Sequence, residues 1–280
     1  MQLSPRYDGP QILTLDGPVD GQAAPVARQR RRFEAVLNEL SEDDWVAPSR
    51  CDGWTVQDVV SHLVGVNGFW ELAVRSGLAG APTRLLGGFD PAATPPVMVA
   101  GMRSMRPAEV LAQFVASNDG FLGALDGLDA AGWAATAEAP PGHVPVHVLA
   151  QHALWDSWIH ERDVVLPLGG APVCEDDEVR SCLRYAAAIS PALGLALGSS
   201  ARGEFAVDAA GPQVRFVVDV DASVAVRQAT VHEVDERPCL RGDAVVLVEA
   251  LSLRVPLPAD APAAWQALLT GLATAFDSPI

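Results

Sequence analysis

HVLAQHALWDSWIHERD, residues 147–163, reads as a single helix with an uncommon stripe. Leu149, His152, Ala153, Asp156, Ile159, His160 and Asp163 keep the i, i+3, i+4, i+7 rhythm of a core-facing side. Two histidines and two acids therefore stand where leucine or valine is the ordinary choice. Burying such groups costs several kcal/mol unless each meets a hydrogen bond, an opposite charge or a metal. The helix needs a polar partner from elsewhere in the chain.

Three more helices are legible upstream. The first runs over about residues 25–40, with Phe33, Val36, Leu37 and Leu40 at helical spacing. Its Arg28, Arg30, Arg31 and Arg32 read as a solvated face. Thr55 opens the second, with Asp58 at capping-box spacing. Val56, Val59, Val60, Leu63, Val64, Phe69 and Trp70 form its apolar stripe, and His62 lies beside that stripe. The third spans about 107–128. Residues 77–96 are rich in Gly and Pro and read as a long loop, a wall or lid over a site. Four helices with long connections predict a four-helix bundle over residues 25–168. Ahead of it, residues 1–24 read as a loose arm with a short extended piece at 11–15.

The character changes at residue 170. A helix at 176–197 is followed by alternating runs at 204–207, 214–220, 224–231 and 238–241. Asp243 is placed as the N-cap of a further helix, and a last helix closes the chain at 261–276. This predicts an α+β domain over 170–280, with helices on one side of an antiparallel sheet. The fold class is a two-domain chain: an α bundle followed by a smaller α+β domain.

Composition narrows the chemistry. The chain has 280 residues, is 49% hydrophobic and carries a formal net charge of -16. That charge opposes binding to nucleic acid and to anionic membranes. All 19 basic residues are arginine, so mechanisms built on a Schiff-base or phosphate-binding lysine are excluded. The four cysteines, Cys51, Cys174, Cys182 and Cys239, form no CxxC and read as reduced structural thiols. No signal peptide and no apolar run of about 20 residues is visible, which reads as a soluble cytoplasmic protein.

Asp156 and His160 are four residues apart, so their Cβ atoms share one helix face at about 5–6 Å. Such a pair alone reads first as a buried Asp–His hydrogen bond. His62, at the core edge of a facing helix, offers a third donor for a metal built across the bundle. Three protein ligands leave a position open, the arrangement of a catalytic site.

Residues 51–63, CDGWTVQDVVSHL, resemble the C-x-G-W-[ST]-V-x-[DE]-x-x-x-H-[LI] signature of the mycothiol-dependent maleylpyruvate isomerase N-terminal domain. That domain belongs to the DinB-like superfamily of metal-binding four-helix bundles. Residues 155–163 are similar to its second signature, in which an acid and a histidine stand four apart. The likeness covers about residues 25–168. It continues more weakly into the tail, where Arg241-Gly242-Asp243 and Leu253-Arg254 resemble the family's GD…GR ending. The resemblance implies a zinc site at His62, Asp156 and His160, with Asp156 standing where glutamate is typical. It implies a catalytic role for Arg254, with Leu253 in place of the family's glycine, and mycothiol as thiol cosubstrate.

Other residues carry two readings each. His152, one turn before Asp156, is a fourth ligand or a hydrogen-bonding support of the ligands, as Asp163 is on the other side. Trp70 and Trp155 wall a pocket or fill the core. Cys51 precedes a helix N-terminus, where a structural role outweighs a nucleophilic one. His143, His147 and His232 read as exposed. The expected function is a zinc-dependent enzyme that uses mycothiol on a small electrophilic or acidic substrate, as isomerase or S-transferase. The competing expectation is a non-catalytic binding or regulatory protein with a degraded metal site, Asp156 being its first sign. The expected partner is a small molecule, with no nucleic acid and no membrane, and homodimer formation left open.

Overall fold

The computed structural model describes residues 1–17 and 22–277; parts of the expected arm (18–21) and tail (278–280) lie outside them. In chain order the elements begin with β1 (Leu13–Leu15), α1 (Ala23–Asn38), α2 (Glu42–Val46), α3 (Val56–Leu78), α4 (Thr94–Ala100) and α5 (Pro107–Leu125). Next come α6 (Ala130–Ala134), β2 (Thr136–Ala139), β3 (Gly142–Pro145), α7 (Val146–Val165) and α8 (Asp176–Ala196). The chain ends with β4 (Gly203–Ala210), β5 (Val214–Val220), β6 (Val224–Gln228), α9 (Val231–Asp235), β7 (Cys239–Asp243), α10 (Ala244–Leu251) and α11 (Ala263–Phe276). No helix among the described residues is long and apolar enough to cross a membrane.

Helices α1, α3, α5 and α7 close a bundle, α1 packing on α5 and α7, and α3 on α5 and α7. Local chemistry sets their starts. The Thr55 hydroxyl accepts from the Asp58 N–H while the Asp58 carboxylate accepts from the Thr55 N–H. Ser41 and Asp44 form the same reciprocal cap on the short α2, a signal present in the sequence and passed over. Gly77 lets α3 approach the β2–β3 hairpin, because a Cβ there would lie 2.1 Å from the Thr136 carbonyl oxygen.

The bundle's interior is polar at one level. Arg30 is 1% exposed, and its Nη2 donates to Asn67 Oδ1 (3.1 Å) and to the Ala153 carbonyl (3.2 Å). Asn67 donates to Asn118 (2.7 Å), which donates to Glu34 (2.7 Å), so all four helices join in one layer. The arginine run is therefore not a solvated face. Arg28 and Arg31 point outward, but Arg30 is core, and Arg32 binds both Glu161 of α7 and Glu178 of α8. Val26, Arg30, Phe33 and Leu37, all buried, keep helical spacing, so Arg30 was marked by its place in the apolar stripe.

Helix α7 differs from its expected amphipathic form. Every residue except His147, Asp156 and Arg162 is buried, because α8 and the β2–β3 hairpin cover the side that the bundle leaves open. Its outer acid Glu161 survives burial by accepting from Gln29 and Arg32.

The second unit is a mixed sheet in the order β1-β6-β5-β4-β7, not a purely antiparallel one. Strands β4, β5 and β6 are antiparallel neighbours, while β1 runs parallel to β6 and β7 parallel to β4. Both edges arrive from outside the hairpins, which permits the parallel pairing. Helix α9 packs Val234 against Ala206, Val217 and Cys239 on the face opposite α8, so helices lie on both sides. The described part of the N-terminal arm is packed rather than loose: Leu3, Ile12, Leu13 and Leu15 are buried.

The segment between α3 and α4 is pinned. The buried carboxylate of Glu138 accepts from Tyr7 Oη (2.5 Å) and from the backbone N–H groups of Leu85 and Leu86 (2.7 Å each to Oε1). His143, expected to be exposed, is buried, its Nδ1 and Nε2 lying 3.1 and 2.9 Å from the Tyr7 and Thr83 carbonyls. A lid would need these ties broken. Glu138→Ala should leave three donors without an acceptor and raise local opening by about 1.4 kcal/mol or more. Trypsin should then cut after the exposed Arg84 at least about tenfold faster than in the parent protein. Equal rates would show that Glu138 does not hold the segment.

Candidate metal centre

His62 comes from the core edge of α3, and Asp156 and His160 from successive turns of α7. Their ligand-capable atoms all lie within 4.8 Å of one another. His160 Nε2 is 3.6 Å from Asp156 Oδ1, and the His62 and His160 rings meet edge to face at 5.1 Å between centroids. Donors bonded to one tetrahedral metal at about 2.1 Å stand roughly 3.4 Å apart, so modest side-chain rotation brings the three into range. Trp54 packs on the other side of His62, at 5.5 Å.

Neither the His62 nitrogens nor the Asp156 oxygens have a hydrogen-bond partner among the described residues. The His62 ring, the Asp156 carboxylate and the Nε2 of His160, which would give up its proton on metal binding, suit a divalent transition metal such as zinc. Burial lowers the His62 pKa to about 4, against the pull of Asp156, so the ring is neutral and its lone pair free. Burial pushes Asp156 up, but His160, His62, His152 and Arg30 outweigh it and hold the acid below the usual carboxylate range. The shorter acid therefore remains an anionic donor.

Asp163 orients the third donor. His160 Nδ1 is 3.0 Å from Asp163 Oδ2, which fixes the ring with Nε2 toward Asp156. Burial pushes the His160 pKa down, but Asp163 and Cys51 raise it to about 10. Asp163 is fully buried and is the hub of the surroundings. Its carboxylate accepts from Arg254 Nη2 (2.8 Å) and Nε (3.0 Å), from Arg50 Nε (3.1 Å) and from Cys51 Sγ (3.3 Å). Arg50 also donates to Glu249 of α10 (2.7 Å), and Arg162 reaches the same acid. Glu249 thereby links the second unit to the helix that carries Asp156 and His160.

Arg254 is thus committed along its Nε–Nη2 edge to Asp163, and its Nη1 makes only a long contact, 3.5 Å, with the Ser252 carbonyl. Leu253 adopts φ 59°, the left-handed region that glycine favours, directly after α10. Leu253 thus holds, with a side chain, the turn that presents Arg254.

His152 stands apart from this trio. Its Nδ1 is 2.5 Å from Tyr185 Oη on α8, and its ring meets Trp70 (4.7 Å) and Trp155 (5.6 Å). Burial lowers its pKa to about 4. Trp70 and Trp155 pack against His152, and the Trp155 indole N–H donates to Ser252 Oγ (2.8 Å). His147 is part-buried and His232 is exposed beside Glu236. Tyr185, Arg50 and Glu249 were not singled out by sequence reading. Each lies outside the bundle's periodic stripes, so no local pattern marked it.

A sequence model described as the mycothiol maleylpyruvate isomerase N-terminal domain matches residues 26–165. Two crystal structures, of the mycothiol-dependent maleylpyruvate isomerase and of a histidine-to-alanine mutant of it, share the fold. Each has a TM-score of 0.60 over 86% of this chain and 91% of the other, at 13% and 12% identity respectively. No curated protein sequence matches the chain. The family model spans half of the chain, including all three members of the trio, and the protein belongs to the mycothiol maleylpyruvate isomerase N-terminal domain family.

Proposed function

We propose that this protein is a zinc-dependent enzyme that brings mycothiol to a small electrophilic or acidic substrate, as isomerase or S-transferase. The observation that carries the reading is the trio His62, Asp156 and His160, convergent and without hydrogen bonds from His62 or Asp156. In the competing reading of a degraded site these atoms would be tied by hydrogen bonds; the contact they make is the Asp156–His160 ion pair at 3.6 Å, and His62 makes no hydrogen bond among the described residues.

In this reading the three side chains hold the metal and leave a position open. A metal held by these residues would lower the pKa of a thiol brought to it, so that the cosubstrate's sulfur would be available as thiolate at neutral pH. Addition of a thiolate to a conjugated double bond forms a C–S bond and moves the π pair onto the carbonyl oxygen. The former double bond turns as a single bond, and the returning pair expels the thiolate, so nothing is consumed. Displacement of a leaving group by the same sulfur is the transferase alternative. The chain's own residues do the positioning. Asp163 keeps the His160 ring in place, and Arg254 keeps Asp163 ionised. The Nη1 edge of Arg254 is the part left to meet a substrate carboxylate. Trp70 and Trp155 supply apolar walls.

Protein purified without a histidine tag should contain about one zinc per chain. It should turn over maleylpyruvate, or transfer sulfur to an electrophile, only when mycothiol is added. Metal-free protein that stays metal-free on zinc titration, or activity indifferent to mycothiol, overturns the proposal.

A further inference from the structure

The pair His152–Tyr185 lies outside the metal trio and has an open end. Tyr185 is fully buried, and its hydroxyl has no other partner among the described residues. Its proton therefore has one acceptor in reach, His152 Nδ1 at 2.5 Å. A neutral imidazole that accepts at Nδ1 carries its proton at Nε2. That Nε2–H has no protein acceptor among the described residues, and His152 keeps 6% of its surface exposed. His152 is one turn from Asp156 on the same face of α7. A second orphan donor adjoins it: the indole Nε1 of Trp70 is buried with no acceptor, and its ring lies 4.7 Å from the His152 ring.

We propose that His152, held in its Nε2–H tautomer by Tyr185, donates a hydrogen bond to a carbonyl or carboxylate oxygen of the substrate bound beside the candidate metal position. The inference rests on the functional reading above and adds to it a positioned donor on α7, oriented by a tyrosine of α8 and packed against Trp70 and Trp155. A donor fixed in this way is ready for the oxygen that gains negative charge when a thiolate adds to a conjugated bond. The donor's orientation depends on Tyr185 of α8, which lies beyond the matched family segment.

Maleate, a planar unsaturated dicarboxylate that needs no thiol, is the probe. Nitrogen-15 NMR of histidine-labelled protein should show His152 protonated at Nε2, and added maleate should shift that resonance, in both metal-free and zinc-loaded protein. By calorimetry His152→Phe should bind maleate about tenfold more weakly, the size of one hydrogen bond to a charged group. His152→Gln, which restores an N–H donor, should recover part of the loss. Tyr185→Phe should give a mixture of tautomers and about threefold weaker binding. Zinc content should be unchanged in all three. Absence of maleate binding by the parent protein, equal binding by His152→Phe, or loss of zinc in that variant overturns the inference. Because maleate binding is read without metal or mycothiol, a failure here is separable from a failure of the enzyme reading.

Discussion

Replacing His160 with alanine is expected to empty the candidate metal centre and abolish thiol-dependent activity. His160 uses both ring nitrogens: Nε2 faces Asp156 at 3.6 Å and Nδ1 meets Asp163 at 3.0 Å. The substitution removes one of three donors and unties the support of the site in the same stroke. Loss of an orienting partner alone commonly lowers metal affinity by about 10–100-fold, so loss of the donor should lower it by roughly 100-fold or more. Zinc competition titration against a chelating dye measures this. His62→Ala is the matched comparison. It should lose zinc equally, yet the metal-free variant should melt above His160→Ala, because His62 contributes ring packing on Trp54 and His160 but no hydrogen bond. His160→Ala should melt lower, since Asp163 loses a partner. Full zinc occupancy in His160→Ala would remove His160 from the ligand set.

Asp163→Ala should be the most destabilising single change near the site. The carboxylate is buried among Arg50, Arg254 and His160. Removing it leaves cations facing one another without an anion, a change that costs about 3–5 kcal/mol. For a chain of this size that corresponds to a fall in melting temperature of roughly 6–20 °C. The pH dependence has a definite sign. Burial pushes the Asp163 pKa up, but His160 and Arg254 hold it far below the usual carboxylate range. An unfolded aspartate titrates near about 3.9. The folded pKa is the lower one, so Asp163 contributes stability above pH about 4, and that stability is lost as pH falls further. Glu249, pushed up by burial but held down by Arg50 and Arg162, adds in the same direction. Metal-free protein should therefore lose melting temperature steeply below pH 4. Asp163→Asn should be less stable at pH 7 and show a shallower acid slope. An unchanged slope would assign the acid sensitivity to other carboxylates.

The helices of the bundle were legible because their signals are local. Thr55 and Asp58 cap α3 within four residues, Asp243 caps α10 by accepting from Val245 and Val246, and the four long helices begin within a few residues of the expected positions. The i, i+4 spacing of Asp156 and His160 places both on one face whatever surrounds them. Reading Arg30 as solvated went astray, and the choice between wall and lid for the 77–96 stretch stayed open, for one reason. Composition reports what a segment tolerates, while burial depends on what lands on it. Gly and Pro describe a loop, but Glu138 and His143, more than 50 residues away, tie that loop down.

The same division runs through the site. Periodicity along α3 and α7 is enough to aim His62, Asp156 and His160 at a bundle interior, because a helix fixes the direction of its own side chains. The partners that give those side chains their character come from the packed whole. Arg50 from a loop, Arg254 after α10 and Tyr185 on α8 reach α7 across 113, 91 and 33 residues. Each contact forms only after separate elements have docked, and its ion pair or hydrogen bond is chosen by the geometry of that docking. No repeat in the chain encodes it. Donor identity and spacing were therefore written along the helices, whereas tautomer, charge state and the coupling of the second unit to the centre were decided by tertiary structure.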